Sequence, residues 1–269
     1  MNKRIGFIGC GKMAQAMIQG ILNSQLLPAE NIYASSASEE TITLVREKFG
    51  IFTCLDNRQI ARAADVLILA VKPDVHKSVI KQIKDSVSEH TIIITIAAGI
   101  TLQYIEESFG EHVKAIRTMP NTPSLVGEGM TAIAANRNVL DEELRDMLSI
   151  FASFGRIELI EEKLMNAIPA ISGSSPAYVY MLIEALADGG VMQGIPRKQA
   201  YQFAAQAVMG AAKMVLETGM HPGVLKDDVC TPGGATIQAI ATLEKERFRS
   251  AVISAMESCT KRTEELAHK

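Results

Sequence analysis

The stretch IGFIGCGKMAQAM, residues 5–17, limits what this chain can fold into more than any other. An apolar strand runs into a glycine-dense turn and then a helix start. Gly9, Gly11 and Ala14 fit the spacing G-x-G-x-x-G/A. Each position has a physical task in a dinucleotide site. Gly9 allows the tight turn out of the strand. Gly11 lacks the Cβ that would hold a pyrophosphate off the backbone, and Ala14 is small enough for the helix to pack on the sheet. The free N–H groups and positive dipole end of that helix then face a diphosphate. The motif alone is weak, because a tight strand-to-helix turn without a ligand uses the same glycines. Its context strengthens it: a strand pattern over residues 4–8 precedes it and a helix pattern over residues 13–22 follows. The expectation is a bound dinucleotide.

The first half of the chain continues the alternation. Strand patterns cover residues 31–35, 51–54, 65–71 (DVLILAV), 91–97 (TIIITIA) and 113–119 (VKAIRTM). The run at 65–71 is almost continuously apolar, as in a parallel strand buried on both faces. Ser38 followed by Glu39 and Glu40 reads as a helix N-cap with an acidic first turn, and Gly50 closes that helix. Pro120 and Pro123 argue against regular structure between them. Residues 129–135 and 156–160 read as edge strands around a helix over 141–154. This pattern predicts an α/β fold, a Rossmann-type doubly wound sheet, over residues 1–162.

From residue 163 to 269 no convincing strand appears, which predicts an all-α C-terminal domain. Ser175 and Pro176 read as N-cap and first residue of a helix over 177–192 that is apolar nearly all the way round. Such a helix is buried on several sides, in a core or against another chain. Residues 197–217 carry one apolar stripe, and 235–243 and 248–266 are two more helices. So many apolar faces in so small a domain predict pairing with a second copy.

Composition removes several function classes. Of 269 residues, 48% are hydrophobic and 21% charged, ordinary for a globular protein, and the net charge of −3 offers nothing to nucleic acid or an anionic membrane. No apolar run reaches a membrane span. The start MNKRIGFIG reads as a first strand, not a targeting segment. Cys10, Cys54, Cys230 and Cys259 are far apart without a C-x-x-C, and the five histidines form no ligand cluster. No metal is expected, and the free thiols fit a cytoplasmic protein.

Ligands of open α/β sheets lie outside the carboxyl ends of the strands. Those ends hold small residues: Ser35 and Ser36; Ala70, Val71, Lys72 and Pro73; Ala97, Ala98 and Gly99. An NAD site usually carries an acidic residue about 20 residues past the glycines. Here the second strand ends in Ala34-Ser35-Ser36, so NADPH is preferred and NADH is the alternative. Arg58, read as lying next to Asn57 in the following loop, could approach the adenosine phosphate, although a solvated arginine is the commoner case. Farther on, Thr231-Pro232-Gly233-Gly234 precedes a helix opening at Ala235 and Thr236. The amides of Gly233, Gly234 and Ala235 could form a carboxylate pocket, or the glycines could simply separate two helix caps. Ser174, before the apolar helix, is a further candidate substrate contact, with simple capping as its alternative.

Together these segments, IGFIGCGKMAQAM, AVKP (70–73), AAG (97–99), RTMPNTP (117–123), SGSSPAY (172–178) and HPGVLKDDVCTPGGATIQAIATLE (221–244), resemble the pyrroline-5-carboxylate reductase family nearly end to end and in order. The TPGGAT block is the most specific. The resemblance implies reduction of 1-pyrroline-5-carboxylate to L-proline by NADPH or NADH. It also implies a helical C-terminal domain that interlocks into homodimers, often built into decamers. It places nucleotide contacts on Ile8, Gly9, Cys10, Gly11, Lys12, Met13, Ser35, Asn57 and the turns at 70–73 and 97–99. Substrate contacts fall on Ala235 and Thr236, with Asp228 near the nicotinamide side. This chain has Gly219 where some members have glutamate, Asp228 where asparagine is frequent, and Cys230 where serine is frequent.

The expected chemistry is hydride delivery to an imine carbon. The glycine amides hold the carboxylate, and the Thr236 hydroxyl bonds the ring nitrogen for orientation and proton relay. This requires two glycine turns from opposite halves of the polypeptide, in one copy or from two copies of it, to share a cleft. The alternatives are another cyclic-imine reductase, a β-hydroxyacid-dehydrogenase-like enzyme, or a nucleotide-binding protein without catalysis. A hydroxyacid enzyme should offer an acid/base lysine on the interdomain helix. No lysine occurs here between Lys163 and Lys198.

Overall fold

Short strands with apolar residues on both sides require cover on both faces. The computed structural model, which describes residues 3–267, supplies it with helices. The chain divides into two compact units. One runs up to Ser174 and takes in the residues from Cys259 onward; the other is Ser175–Ser258.

The first unit runs β1 (Ile5–Ile8), α1 (Lys12–Asn23), β2 (Ile32–Ser35), α2 (Glu39–Phe49), β3 (Phe52–Cys54), α3 (Asn57–Ala63), β4 (Val66–Leu69), α4 (His76–Ile83), β5 (Ile92–Thr95), α5 (Leu102–Phe109), β6 (Lys114–Met119), β7 (Gly129–Ala135), α6 (Asp141–Ala152) and β8 (Gly155–Leu159). The sheet order is β3-β2-β1-β4-β5-β6-β7-β8. Every pairing is parallel except β6 with β7. Alternate residues feed two cores. Ile5, Phe7, Val66 and Ile68 pack with α1, α2 and α6 on one face. Ile8, Leu67 and Leu69 pack with α3, α4 and α5 on the other. The doubly wound Rossmann-type sheet expected from the alternation is therefore present.

Three local readings are corrected. Residues 122–126 are not irregular: Thr122–Val126 is a 3-10 turn. Pro123 sits near its start, where a missing N–H costs nothing. Strand β7 is not at an edge, because this short connection returns it directly alongside β6; of the two strands expected at edges, β8 alone is terminal. Asn57 and Arg58 open helix α3 rather than lying in a loop; the Asp56 carboxylate accepts the Arg58 N–H at 2.9 Å and caps it.

The block at 117–123 holds the end of β6 to the chain that follows the sheet. Arg117 is 2% exposed. It donates from Nη2 to Asn166 Oδ1 at 2.6 Å and from Nη1 to Glu162 Oε1 at 3.4 Å. Burial lowers the pKa of its guanidinium, and Glu162 works against that. Asn121 accepts from the Met130 N–H and donates to the Ser172 carbonyl.

The second unit is helical: α7 (Ser175–Met192), α8 (Arg197–Thr218), α9 (Pro222–Val229), α10 (Ala235–Lys245) and α11 (Phe248–Ala267), whose last turns are counted with the first unit. Ser175 is the first helical residue of α7 rather than a cap outside it. Burial of α7 on several sides does not occur in the single chain. Among its residues Ala187 is buried, while Tyr180, Met181 and Met192 are 61%, 70% and 89% exposed. No helix among the described residues is long and apolar enough to cross a membrane.

Candidate functional site

The strand order reverses between β1 and β4, so the carboxyl ends of β2, β1, β4 and β5 define a crevice where open sheets take ligands. Gly9 sits there with φ +93°, and a Cβ would lie 2.7 Å from the Ala70 carbonyl oxygen and 2.8 Å from Val71 Cγ1. No other residue fits, so this glycine is required by the chain itself. Gly9 N–H donates to the Ser35 carbonyl at 3.0 Å and Ala70 N–H to the Ile8 carbonyl at 2.8 Å, binding three strand ends together. Gly11 differs: nothing lies within 4 Å of its missing Cβ. It is the N-cap of α1 and offers no side-chain cap. The first-turn amides of α1 are thus left without a capping side chain, as an anion site at a helix start requires. Lys12 is exposed, Met13 half-buried and Ala14 buried under the helix. Cys10 is buried, which pushes its thiol up to about 12, so it offers no thiolate.

At the end of β2, Ser35 is fully buried and donates to Asn57 Oδ1 at 2.7 Å. Asn57 Nδ2 donates to Gln82 Oε1 at 2.8 Å, and Arg58 Nε to the Gln82 carbonyl at 3.1 Å. Ser36 is half-exposed, and its hydroxyl accepts the Ser38 N–H at 3.4 Å. The structure therefore brings Ser35 and Asn57 together and turns Arg58 toward α4. Gln82 was not anticipated, because only the packing of α4 on α3 brings it here.

The turns after β4 and β5 lie side by side, since Leu69 pairs with Thr95. Lys72 and Pro73 are exposed, Ala70, Val71 and Ala98 half-buried, and Ala97 and Gly99 buried. Behind them is a residue that sequence reasoning missed. His76, 1% exposed, places Nδ1 3.1 Å from the Lys72 carbonyl and Nε2 3.3 Å from Thr95 Oγ1. Its position on the first turn after Pro73 was the available signal. Burial lowers its pKa below the ordinary 6.5.

The second unit carries the other glycine turn. Gly233 has φ +71°, and a Cβ on Gly234 would lie 2.4 Å from Thr231 Oγ1. Gly234 N–H donates to the Thr231 carbonyl at 3.0 Å. The tight turn requires glycine at 233 for its backbone conformation, and a side chain at 234 would displace the Thr231 hydroxyl. The ligand-facing feature is different: Gly234 caps α10 without a side chain, leaving first-turn amides free beside Ala235 and half-buried Thr236. Asp228 is exposed near the end of α9, a helix the sequence reading lacked. Ser174 belongs to the first unit. It donates its N–H to the Pro169 carbonyl and accepts the Cys259 thiol at 3.4 Å.

A doubly wound sheet with an open glycine turn at its switch point, continued by a helical unit, defines a dinucleotide-binding α/β protein with an appended helical domain. Residues 4–99 match the family model described as NADP oxidoreductase, coenzyme F420-dependent, and residues 162–266 match pyrroline-5-carboxylate reductase dimerisation. Pyrroline-5-carboxylate reductase of Escherichia coli K12 is 47% identical over 99% of both chains. That of Methanosarcina acetivorans is 43% identical over 100% of this chain and 99% of its own. A Plasmodium falciparum pyrroline carboxylate reductase structure with NADP bound superposes with a TM-score of 0.90 at 34% identity, covering 99% of this chain and 98% of that one. The chain belongs to the pyrroline-5-carboxylate reductase family.

Proposed function

We propose that this protein reduces the C=N bond of 1-pyrroline-5-carboxylate to give L-proline, with NADPH as reductant. The observation that carries this is likeness along the whole chain, 47% identity over 99% of it to a relative named for that reaction. The Plasmodium relative with NADP bound and the missing carboxylate at the end of β2 both support NADPH over NADH.

In this reading the uncapped start of α1, with Ile8, Gly9, Cys10, Gly11, Lys12 and Met13, holds the pyrophosphate. Ser35, Ser36 and Asn57 take the adenosine end. In the first unit the turns at 70–73 and 97–99 hold the nicotinamide end, and in the second unit Asp228 is the residue assigned to the cofactor. The cofactor, when bound, supplies a hydride. The imine carbon gains that hydride and the ring nitrogen gains a proton from water. The amides of Gly233, Gly234 and Ala235 bind the carboxylate of the imine, with Ser174 as a further contact. The Thr236 hydroxyl donates to the ring nitrogen and fixes its orientation. Threonine is a poor acid, so its part is placement and relay. In this reading the protein is cytoplasmic and pairs as a homodimer, which the match to a dimerisation model supports, and a decamer is the larger assembly that its family resemblance implies.

The test mixes protein, NADPH and the imine and follows nicotinamide absorbance, with a parallel run in NADH. Loss of absorbance that depends on the imine is expected, faster with NADPH. Thr236→Ala should lower kcat/KM for the imine about a hundredfold, within the range of positioned proton-transfer groups, and leave NADPH affinity unchanged. No turnover of the imine by the native protein would overturn the assignment.

A further inference from the structure

We infer that His76 is a positioning residue that clamps together the two turns after β4 and β5, residues 70–73 and 97–99, and thereby sets their shape for the dinucleotide. The inference rests on the proposed cofactor site and goes beyond it, because His76 is buried and is none of the residues assigned to the cofactor there.

The hydrogen-bond directions leave one arrangement. The Lys72 carbonyl can only accept, so His76 Nδ1 carries a proton and donates to it. The ring is 1% exposed, which favours its neutral form, so Nε2 is left as an acceptor. The Thr95 hydroxyl must then donate to Nε2, and its oxygen accepts the Ala97 N–H at 3.3 Å. A one-way chain results, from the Ala97 amide through Thr95 and His76 to the Lys72 carbonyl. Its two ends are backbone groups of the two turns. The Lys72 carbonyl also accepts the Val75 N–H at 3.1 Å, so the same atom fixes the 3-10 turn that leads into α4.

The sheet itself cannot perform this task. The ladder between β4 and β5 fades where the turns begin, its last bond running from Ile96 N–H to the Leu69 carbonyl at 3.5 Å. Beyond that point the imidazole is the polar bridge between the turns. Thr95 is fully buried and tied to the sheet, its carbonyl accepting the Thr118 hydroxyl at 3.1 Å. One side of the clamp is therefore rigid, and the turn at 70–73 is held to it.

The experiment measures NADPH affinity by nucleotide fluorescence, together with KM and kcat, for native protein, His76→Leu, His76→Gln, Thr95→Val and the double variant His76→Leu/Thr95→Val. His76→Leu should weaken NADPH binding about tenfold, as one or two positioning hydrogen bonds would. KM for the imine should change less than twofold. His76→Gln, whose amide carries both an N–H donor for the Lys72 carbonyl and an oxygen that accepts from Thr95, should recover part of the loss. It also serves as the conservative variant if leucine impairs folding. Thr95→Val should match His76→Leu, and the double variant should be no worse than either, since both break one chain. Native-like NADPH affinity in His76→Leu and His76→Gln, or additive losses in the double variant, would overturn the clamp. Native protein that fails to bind NADPH would instead overturn the cofactor reading, so the two failures are distinct.

Discussion

His76 shows how far one side chain can depend on its surroundings. Its ring is neutral because burial disfavours the charged form, while the Lys72 carbonyl pulls the other way. The folded pKa thus lies below the ordinary 6.5 that holds in the unfolded chain. As pH falls below that value, the unfolded chain takes up a proton that the folded chain refuses, so stability declines with falling pH and is fully present above it. The slope for one proton is at most about 1.4 kcal/mol per pH unit. Denaturant unfolding of native protein and His76→Gln at about pH 7.5 and about pH 5, which bracket the ordinary histidine value, should show native stability falling faster as pH drops. Carboxylates shared by both proteins cancel in the difference, and parallel curves would contradict the shift. The place of His76 just after Pro73 hints at a role, but the letters around it do not show this partner, because Thr95 lies on strand β5. Gly9 is the opposite case: its positive φ and its collision with Ala70 follow from a motif contained within a few residues.

Elements with complete local signals were legible. Helix α2 has Ser38 as N-cap, its hydroxyl accepting the Thr41 N–H at 3.3 Å, acidic residues in the first turn, basic residues in the last and Gly50 at the end. Each of these is visible in the letters. Ser38→Ala should cost about 1 kcal/mol of unfolding free energy, measured by denaturant titration, with no change in NADPH affinity beyond twofold. Strands β4 and β5 were legible because burial on both faces leaves an unbroken apolar run. Helices α3, α5 and α9 are eight residues or shorter. Such lengths give too few turns for a periodic stripe to stand out. The place of β7 inside the sheet was hidden for another reason. Strand order depends on how the connection at 122–126 bends, and Pro120 and Pro123 argued against regular structure there, whereas Pro123 sits near the start of a 3-10 turn. Of the candidate site, the glycine turns and small strand ends were readable, whereas Gln82 and His76 depend on the packing of α4.

For the molecule as a whole, the apolar exterior of α7 and α8 is the dominant fact. Tyr180, Met181 and Met192 stand in water in the single chain, as does Phe203, which is 66% exposed. Exposure on this scale marks an association surface, and the match of residues 162–266 to a dimerisation model agrees. Met181→Lys combined with Phe203→Lys should shift the mass in sedimentation from a multiple of 29.1 kDa toward 29.1 kDa itself. Native protein that already sediments as one chain at micromolar concentration would contradict the pairing. A chain that must find its twin before it can shelter Met181 and Phe203 matures at a rate set by encounters. Output then rises more steeply than gene dosage when copies are scarce, and a truncated sibling that retains α7 and α8 would poison intact chains rather than merely fail beside them.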